Sequence, residues 1–223
     1  MTKKKLQRFA ENRTFPHYFE VPFEKIQEGF FLRGKWCESF FRNQGKLILE
    51  LGCGKGEYTV GLAELFPEHN YIGVDQKGAR IWKGAKYVQQ RNLKNVAFIR
   101  SQIGLLPYWF AEDEVDEIWI TFPDPQPGGR HNKRLTSLRY LQFYKKFLKH
   151  LGKIHVKTDN DEVFNDLLML CREKNYSILL SAEDIDMLPY DVVLHGIKTF
   201  YELMWREEGK KIKYICFTLP HEE

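Results

Sequence analysis

No stretch of this 223-residue chain is apolar for long enough to span a membrane, and its Lys-rich start is not followed by the apolar segment of a secretory signal. Cysteine is scarce and scattered. Cys37, Cys53, Cys171 and Cys216 form no C-x-x-C pair, which speaks against a zinc site and suits reduced thiols in a cytoplasm. No internal repeat or linker-like composition interrupts the sequence, which is long enough to bury a substantial core as one domain. A basic arm is expected over residues 1–30, with its first 13 residues mobile until an anion orders them, ahead of a single α/β domain over 31–223.

Acid is missing from one long segment. Between Pro125 and Thr158 there is no Asp or Glu, while Arg130, Lys133, Arg134, Arg139, Lys145, Lys146, Lys149, Lys153 and Lys157 all lie there. The first 19 residues add Lys3, Lys4, Lys5, Arg8 and Arg13 against Glu11 alone. The formal net charge of the whole chain is only +4, so the remainder is acidic and the positive charge is concentrated. That distribution predicts a polyanion as partner, with a solvated basic surface as the plainer alternative.

Two common phosphate loops are absent as well. Leu47–Gly56 reads LILELGCGKG: an apolar run suited to a strand buried on both faces, then glycines spaced G-x-G-x-G. The dinucleotide G-x-G-x-x-G is not there, and no G-K-[ST] follows. Val60, Leu62, Ala63 and Phe66 then recur at roughly helical spacing, so the glycines lie on a strand-to-helix turn. Glu50, two residues before Gly52, would repel a pyrophosphate and suits a cationic, hydroxyl-rich ligand. A second strand, Tyr71–Asp75, ends in an acid about 20 residues past the glycines, the spacing used to hold ribose hydroxyls. Glu50, Gly52, Gly54 and Asp75 together resemble the S-adenosylmethionine (SAM) site of Rossmann-like methyltransferases.

Further strands are expected at Val96–Ile99, Asp116–Thr121 and Lys153–Thr158. Helices are expected over Phe30–Phe41, Lys77–Arg91 and Ser137–Leu151, the last stopped by Gly152. Tyr176–Leu180 and Ile212–Leu219 can close the sheet as an antiparallel edge pair. Seven strands with interleaved helices predict a doubly wound, Rossmann-like α/β sheet. Phe122–Arg134, FPDPQPGGRHNKR, follows the fourth strand directly and so falls on the ligand-binding edge of such a sheet. Pro123 and Pro125 stiffen the backbone around Asp124.

ELGCGKG, FPDP, RHNKR, Thr158-Asp159 and the TFYE of Thr199–Glu202 stand in the order and spacing of the bacterial tRNA (guanine-N7)-methyltransferases, and the chain resembles that family from about Leu47 to Leu219. The resemblance implies a class I methyltransferase domain over 31–223 that uses SAM and acts on tRNA, with no metal. By matching motifs it implies that Glu50, Gly52, Gly54, Asp75, Gln102 and Asp124 contact SAM and that Asp124 is catalytic. It implies substrate contacts from Asp159, Thr199, Phe200, Tyr201 and Glu202, and Arg130, Lys133 and Arg134 are expected to meet RNA phosphates.

The chain departs from the family's pattern at two places. A usual acid after the third strand is Gln102, and the Trp-His-Lys after FPDP is Gln126-Pro127-Gly128, which removes a substrate-contacting lysine. Read without the resemblance, Asp159 could be a helix N-cap, and T-x-x-E at Thr199–Glu202 could be a capping box. A SAM-dependent methyltransferase of another RNA base is the competing enzyme, and an RNA-binding module with a vestigial Rossmann-like fold is the non-enzyme alternative.

Overall fold

The computed structural model describes residues 3–220, so the first two residues of the expected arm lie outside the described part. Helix α1 (Lys3–Asn12) leads to a two-residue strand β1 (Tyr18–Phe19) and a short helix α2 (Phe23–Ile26). The repeating unit then runs β2 (Leu47–Leu51), α3 (Glu57–Leu65), β3 (Asn70–Asp75), α4 (Gly78–Arg91), β4 (Val96–Arg100), α5 (Leu106–Trp109), β5 (Val115–Thr121), α6 (Leu138–Tyr144) and β6 (Leu148–Thr158). It closes with α7 (Asp161–Glu173), β7 (Ser177–Ala182), α8 (Phe200–Glu207) and β8 (Lys213–Thr218).

One sheet is ordered β1-β4-β3-β2-β5-β6-β8-β7. The strands are parallel except β8, which runs antiparallel to β6 and β7, as the edge-pair reading expected. Among the described residues, eight strands replace the expected seven. The added one, β1, is too short to show an alternation and is held by the edge of β4, where Tyr18 pairs Phe98 and Phe19 pairs Ile99. The arm is thus structured in its described part: α1 lies along α4, with the Asn12 side-chain amide donating to the Gly78 carbonyl at 2.8 Å.

Two further boundaries differ from the sequence reading. The helix expected over Phe30–Phe41 is a turn followed by one π-helical turn, Trp36–Phe41, because Gly34 adopts φ +78° and breaks the helical path. The helix expected to reach Leu151 ends at Tyr144. Beyond it the edge of β5 captures the chain, with Val115 N–H donating to the Phe147 carbonyl at 2.9 Å, so Leu148 already belongs to β6. Leu148 and Leu151 fit a helical stripe, but cross-strand bonding outweighs that local preference.

The sheet separates two apolar layers. Leu47, Leu49 and Leu51 of β2 face the layer that includes Trp36, Trp109, Leu141 and Phe164. Ile48 faces the other, with Tyr58, Ile81 and Phe98. Strand side chains alternate, so Glu50 lies on the same face as Ile48, beneath α3. The same alternation puts His155 and Lys157 of β6 on that face, opposite Ile154 and Val156.

Candidate active site

The carboxyl ends of β2, β3 and β5 converge on one sheet edge, and the glycine turn sits there. Gly52, Gly54 and Gly56 all have positive φ, 76°, 55° and 74°. At Gly56 an added Cβ would come within 2.7 Å of the Phe98 ring, so that glycine lets α3 approach the sheet. At Gly54 an added Cβ would meet nothing nearer than the Gly52 carbonyl at 4.0 Å; the space above it is open, as a ligand approaching the backbone requires.

Asp75 fixes this turn. One of its oxygens accepts from Gly54 N–H at 2.9 Å and the other from Lys77 N–H at 2.7 Å. Glu50, expected to touch SAM, is only 3% exposed. Its carboxylate accepts from Thr59 N–H at 2.8 Å, from the Thr59 hydroxyl, and from the Thr121 hydroxyl at 2.9 Å. Burial pushes its pKa up to about 7, against the three hydrogen bonds that favour the charged form. Glu50 therefore braces the start of α3 against β5 from below the turn. Gln102 is exposed and precedes a 3₁₀ turn at Ile103–Leu105 after β4.

β5 ends abruptly. Phe122 takes φ +50°, rare for a bulky residue, and its N–H donates to the Lys157 carbonyl at 2.7 Å. This left-handed step turns the chain out of the sheet and presents Asp124 to solvent, its Oδ1 accepting from Gln126 N–H at 2.9 Å. Arg130 and Lys133 are exposed in the following loop. Arg134 is not the phosphate ligand expected of it. Its side chain is 3% exposed, donates to the Pro125 carbonyl at 2.6 Å, and pairs with Asp166 at 2.5 Å and Glu162 at 3.0 Å on α7. It ties the FPDP loop to α7, and His131 joins the same two carboxylates at 3.2 and 3.4 Å.

The TFYE motif resolves into separate parts. Thr199 caps α8, its hydroxyl accepting from Glu202 N–H at 3.1 Å. Glu202 does not return to Thr199 as a capping-box partner. It is fully buried at 0% exposure, 2.7 Å from Lys157 Nζ and 3.0 Å from Arg206 Nε. Nor is it placed to read a base, because both oxygens already face cations inside the protein. Phe200 and Tyr201 stay partly exposed, at 51% and 38%. Phe200 is drawn to the glycine turn: its N–H donates to Glu57 at 2.9 Å and Lys55 Nζ lies 3.7 Å above its ring. Asp159 is not a cap either. Asn160 caps α7 through Val163 N–H at 2.9 Å, leaving the Asp159 carboxylate beside Lys210 at 3.4 Å.

Sequence reasoning missed Lys157 and the pair Thr59 and Thr121. Lys157 falls on the buried face of KIHVKT, and charge counting alone places it on the surface with its neighbours. The turn and Asp75 offer hydrogen-bond acceptors and open backbone to a ligand bearing amino and hydroxyl groups, and Asp124 adds a carboxylate on the same edge. That set of groups fits SAM and not a pyrophosphate. Among the described residues no helix is long and apolar enough to cross a membrane.

Fold and site together define a class I methyltransferase. A 16S rRNA methyltransferase, KamB, superposes with a TM-score of 0.64 at 14% identity, covering 91% of this chain and 96% of that one. A SAM-dependent methyltransferase from Aquifex aeolicus does so with a TM-score of 0.54 at 14% identity, over 89% and 98%. A family model described as "Putative methyltransferase" matches residues 44–215. A tRNA (guanine-N(7)-)-methyltransferase of Bacteroides fragilis is 45% identical over 100% of this chain and 88% of its own length. One from Christiangramia forsetii is 48% identical over 98% and 99%. The chain belongs to this family of methyltransferases.

Proposed function

We propose that this protein transfers the methyl group of SAM to N7 of a guanine in tRNA, in the variable loop, giving 7-methylguanosine. The observation that carries the reading is the exposed Asp124 carboxylate on the glycine-turn edge, in a chain 45–48% identical to tRNA (guanine-N(7)-)-methyltransferases along its whole length. A cytoplasmic location suits that substrate.

SAM, when bound, supplies a methyl group on a sulfonium centre. Gly52, Gly54 and Asp75 would hold it, with Gln102 at the adjoining loop. Guanine N7 has an in-plane lone pair and no proton, so the protein needs neither a general base nor a covalent nucleophile. Its residues act by positioning, an effect worth several kcal/mol and up to roughly 7–11 in the best oriented cases. Asp124, held outward by the Phe122 turn, stabilises the positive charge that develops on the purine and helps orient the base. Asp159 reads the guanine, since Glu202, the other carboxylate expected to contact substrate, is buried against Lys157 and Arg206. A carboxylate accepts both N1–H and the 2-amino group of guanine, and adenine offers no such pair of donors. Phe200 and Tyr201 give the base apolar surface, and Arg130 and Lys133 meet phosphates.

Asp124→Asn keeps the shape and removes the charge. kcat is expected to fall by about 10²–10³, the cost of losing one preorganised electrostatic interaction, with little change in tRNA affinity. An unchanged kcat at saturating SAM and tRNA removes Asp124 from catalysis.

A further inference from the structure

Most of the acid-free segment that pointed to a polyanion is not at the site. Arg134 and Lys157 are buried. Lys145, Lys146, Lys149 and Lys153 lie toward the amino end of β6, the far edge of the sheet, where Lys149 pairs with Asp116 at 2.7 Å. A second acid-free segment takes their place. From Gln76 to Ala111 the chain has no Asp or Glu and seven Lys or Arg. It begins one residue after Asp75 and contains α4, so its amino-terminal half starts at the cofactor edge.

The basic arm is built onto that half of α4. Gly78 makes room for it: a Cβ there would lie 2.7 Å from the Phe9 ring and 2.9 Å from Tyr18 Oη and Arg100 Cδ. Arg8 lies over the Trp82 ring at 4.7 Å, and Glu11 accepts from Trp82 Nε1 at 2.7 Å and pairs with Lys86 at 3.0 Å. Two acids of the arm are paired with cations of the domain, Glu11 with Lys86 and Glu20 with Arg100. What faces out is cationic. Lys4, Lys5, Arg8, Lys77 and Arg80 are exposed with no carboxylate partner among the described residues, and Lys83 has only Glu57 at 3.7 Å.

We propose that α1 and the first half of α4 form one basic face that carries the sugar-phosphate backbone of the RNA into the site. This rests on the tRNA reading above. An RNA backbone is the occupant favoured because the unpaired cations continue to the edge where the reacting base must lie. An acidic protein or an anionic membrane would have no need of that continuity.

The test uses the full-length protein and unmodified tRNA. The variant Lys5→Gln/Arg80→Gln removes two exposed cations of the face, and Lys146→Gln/Lys153→Gln removes two from the far edge. Removing a cation that neutralises one phosphate should flatten the slope of log affinity against log salt by about 0.7–0.9. The first variant is expected to show a slope flatter by about 1–2 and a KM for tRNA raised about tenfold. The far-edge variant is expected to match the parent in both. Equal slopes and KM in the first variant, or the larger effect in the second, overturns the proposal, as does binding of anionic vesicles in preference to tRNA. Salt-dependent tRNA binding that responds to Lys5 and Arg80 without any 7-methylguanosine would sink the enzymatic reading and leave the RNA face standing.

Discussion

Glu50 shows how one residue can be found in the sequence while its surroundings in the fold stay hidden. Its place two residues before the glycines puts it at the sheet edge that carries the glycine turn, and strand alternation turns its carboxylate under α3. The folded pKa of about 7 is raised above the ordinary carboxylate value, so the folded state holds a proton that the unfolded chain releases near pH 4.5. The stabilisation linked to that proton is complete below about pH 4.5 and is lost as pH rises through about 7. Glu50→Gln, which carries no titrating proton, should remove this dependence. Relative to the variant, the parent is expected to lose on the order of 3 kcal/mol between these pH values, measured by urea unfolding across the range. Parallel stability curves for parent and variant would show that Glu50 does not titrate with folding. Asp124 was more legible, because the flanking prolines disfavour helical geometry around it. The left-handed Phe122 that aims it was not legible, since nothing in the residue type announces positive φ.

Among the elements, α8 and the segment before it depend on Lys157. Its ammonium touches Glu202 at 2.7 Å and the Leu194 carbonyl at 2.7 Å, while Tyr58 Oη donates to the Val193 carbonyl at 3.2 Å. One buried cation thus clamps the carboxyl-side segment and the TFYE helix onto β6. Burial lowers the Lys157 pKa and Glu202 opposes that shift, so each charge needs the other. Lys157→Met should leave Glu202 buried with Arg206 alone and cost about 3–5 kcal/mol in denaturant unfolding. Lys157→Met/Glu202→Leu should recover most of that loss, because replacing a whole buried pair by apolar groups is far better tolerated than breaking it. A single variant as stable as the parent would show that the pair clamps nothing. Helices and strands with strong periodicity, such as α4 and β2, were readable in sequence. The boundary between α6 and β6 was not, since the edge of β5 decides it, and β1 exists only because β4 offers an open edge.

At the scale of the whole molecule, the strand order places the glycine turn, Asp75, the FPDP loop and the amino end of α8 on one edge. Motif order along the sequence already implied that arrangement for the glycine turn, Asp75 and the FPDP loop, but not for α8. Charge was less legible. Counting Lys and Arg along the chain cannot distinguish a buried clamp, a far-edge lysine and a cation facing substrate, and all three occur between Arg130 and Lys157. The central claim is that methyl transfer goes to N7 of guanine in tRNA. Its most direct test compares two unmodified tRNA transcripts as acceptors of labelled methyl from SAM, one with guanosine throughout and one with 7-deazaguanosine. The guanosine transcript is expected to accept label recovered as 7-methylguanosine, and the 7-deaza transcript to accept none while still competing for binding. Equal transfer to both transcripts, or label on any other nucleoside, would contradict the account.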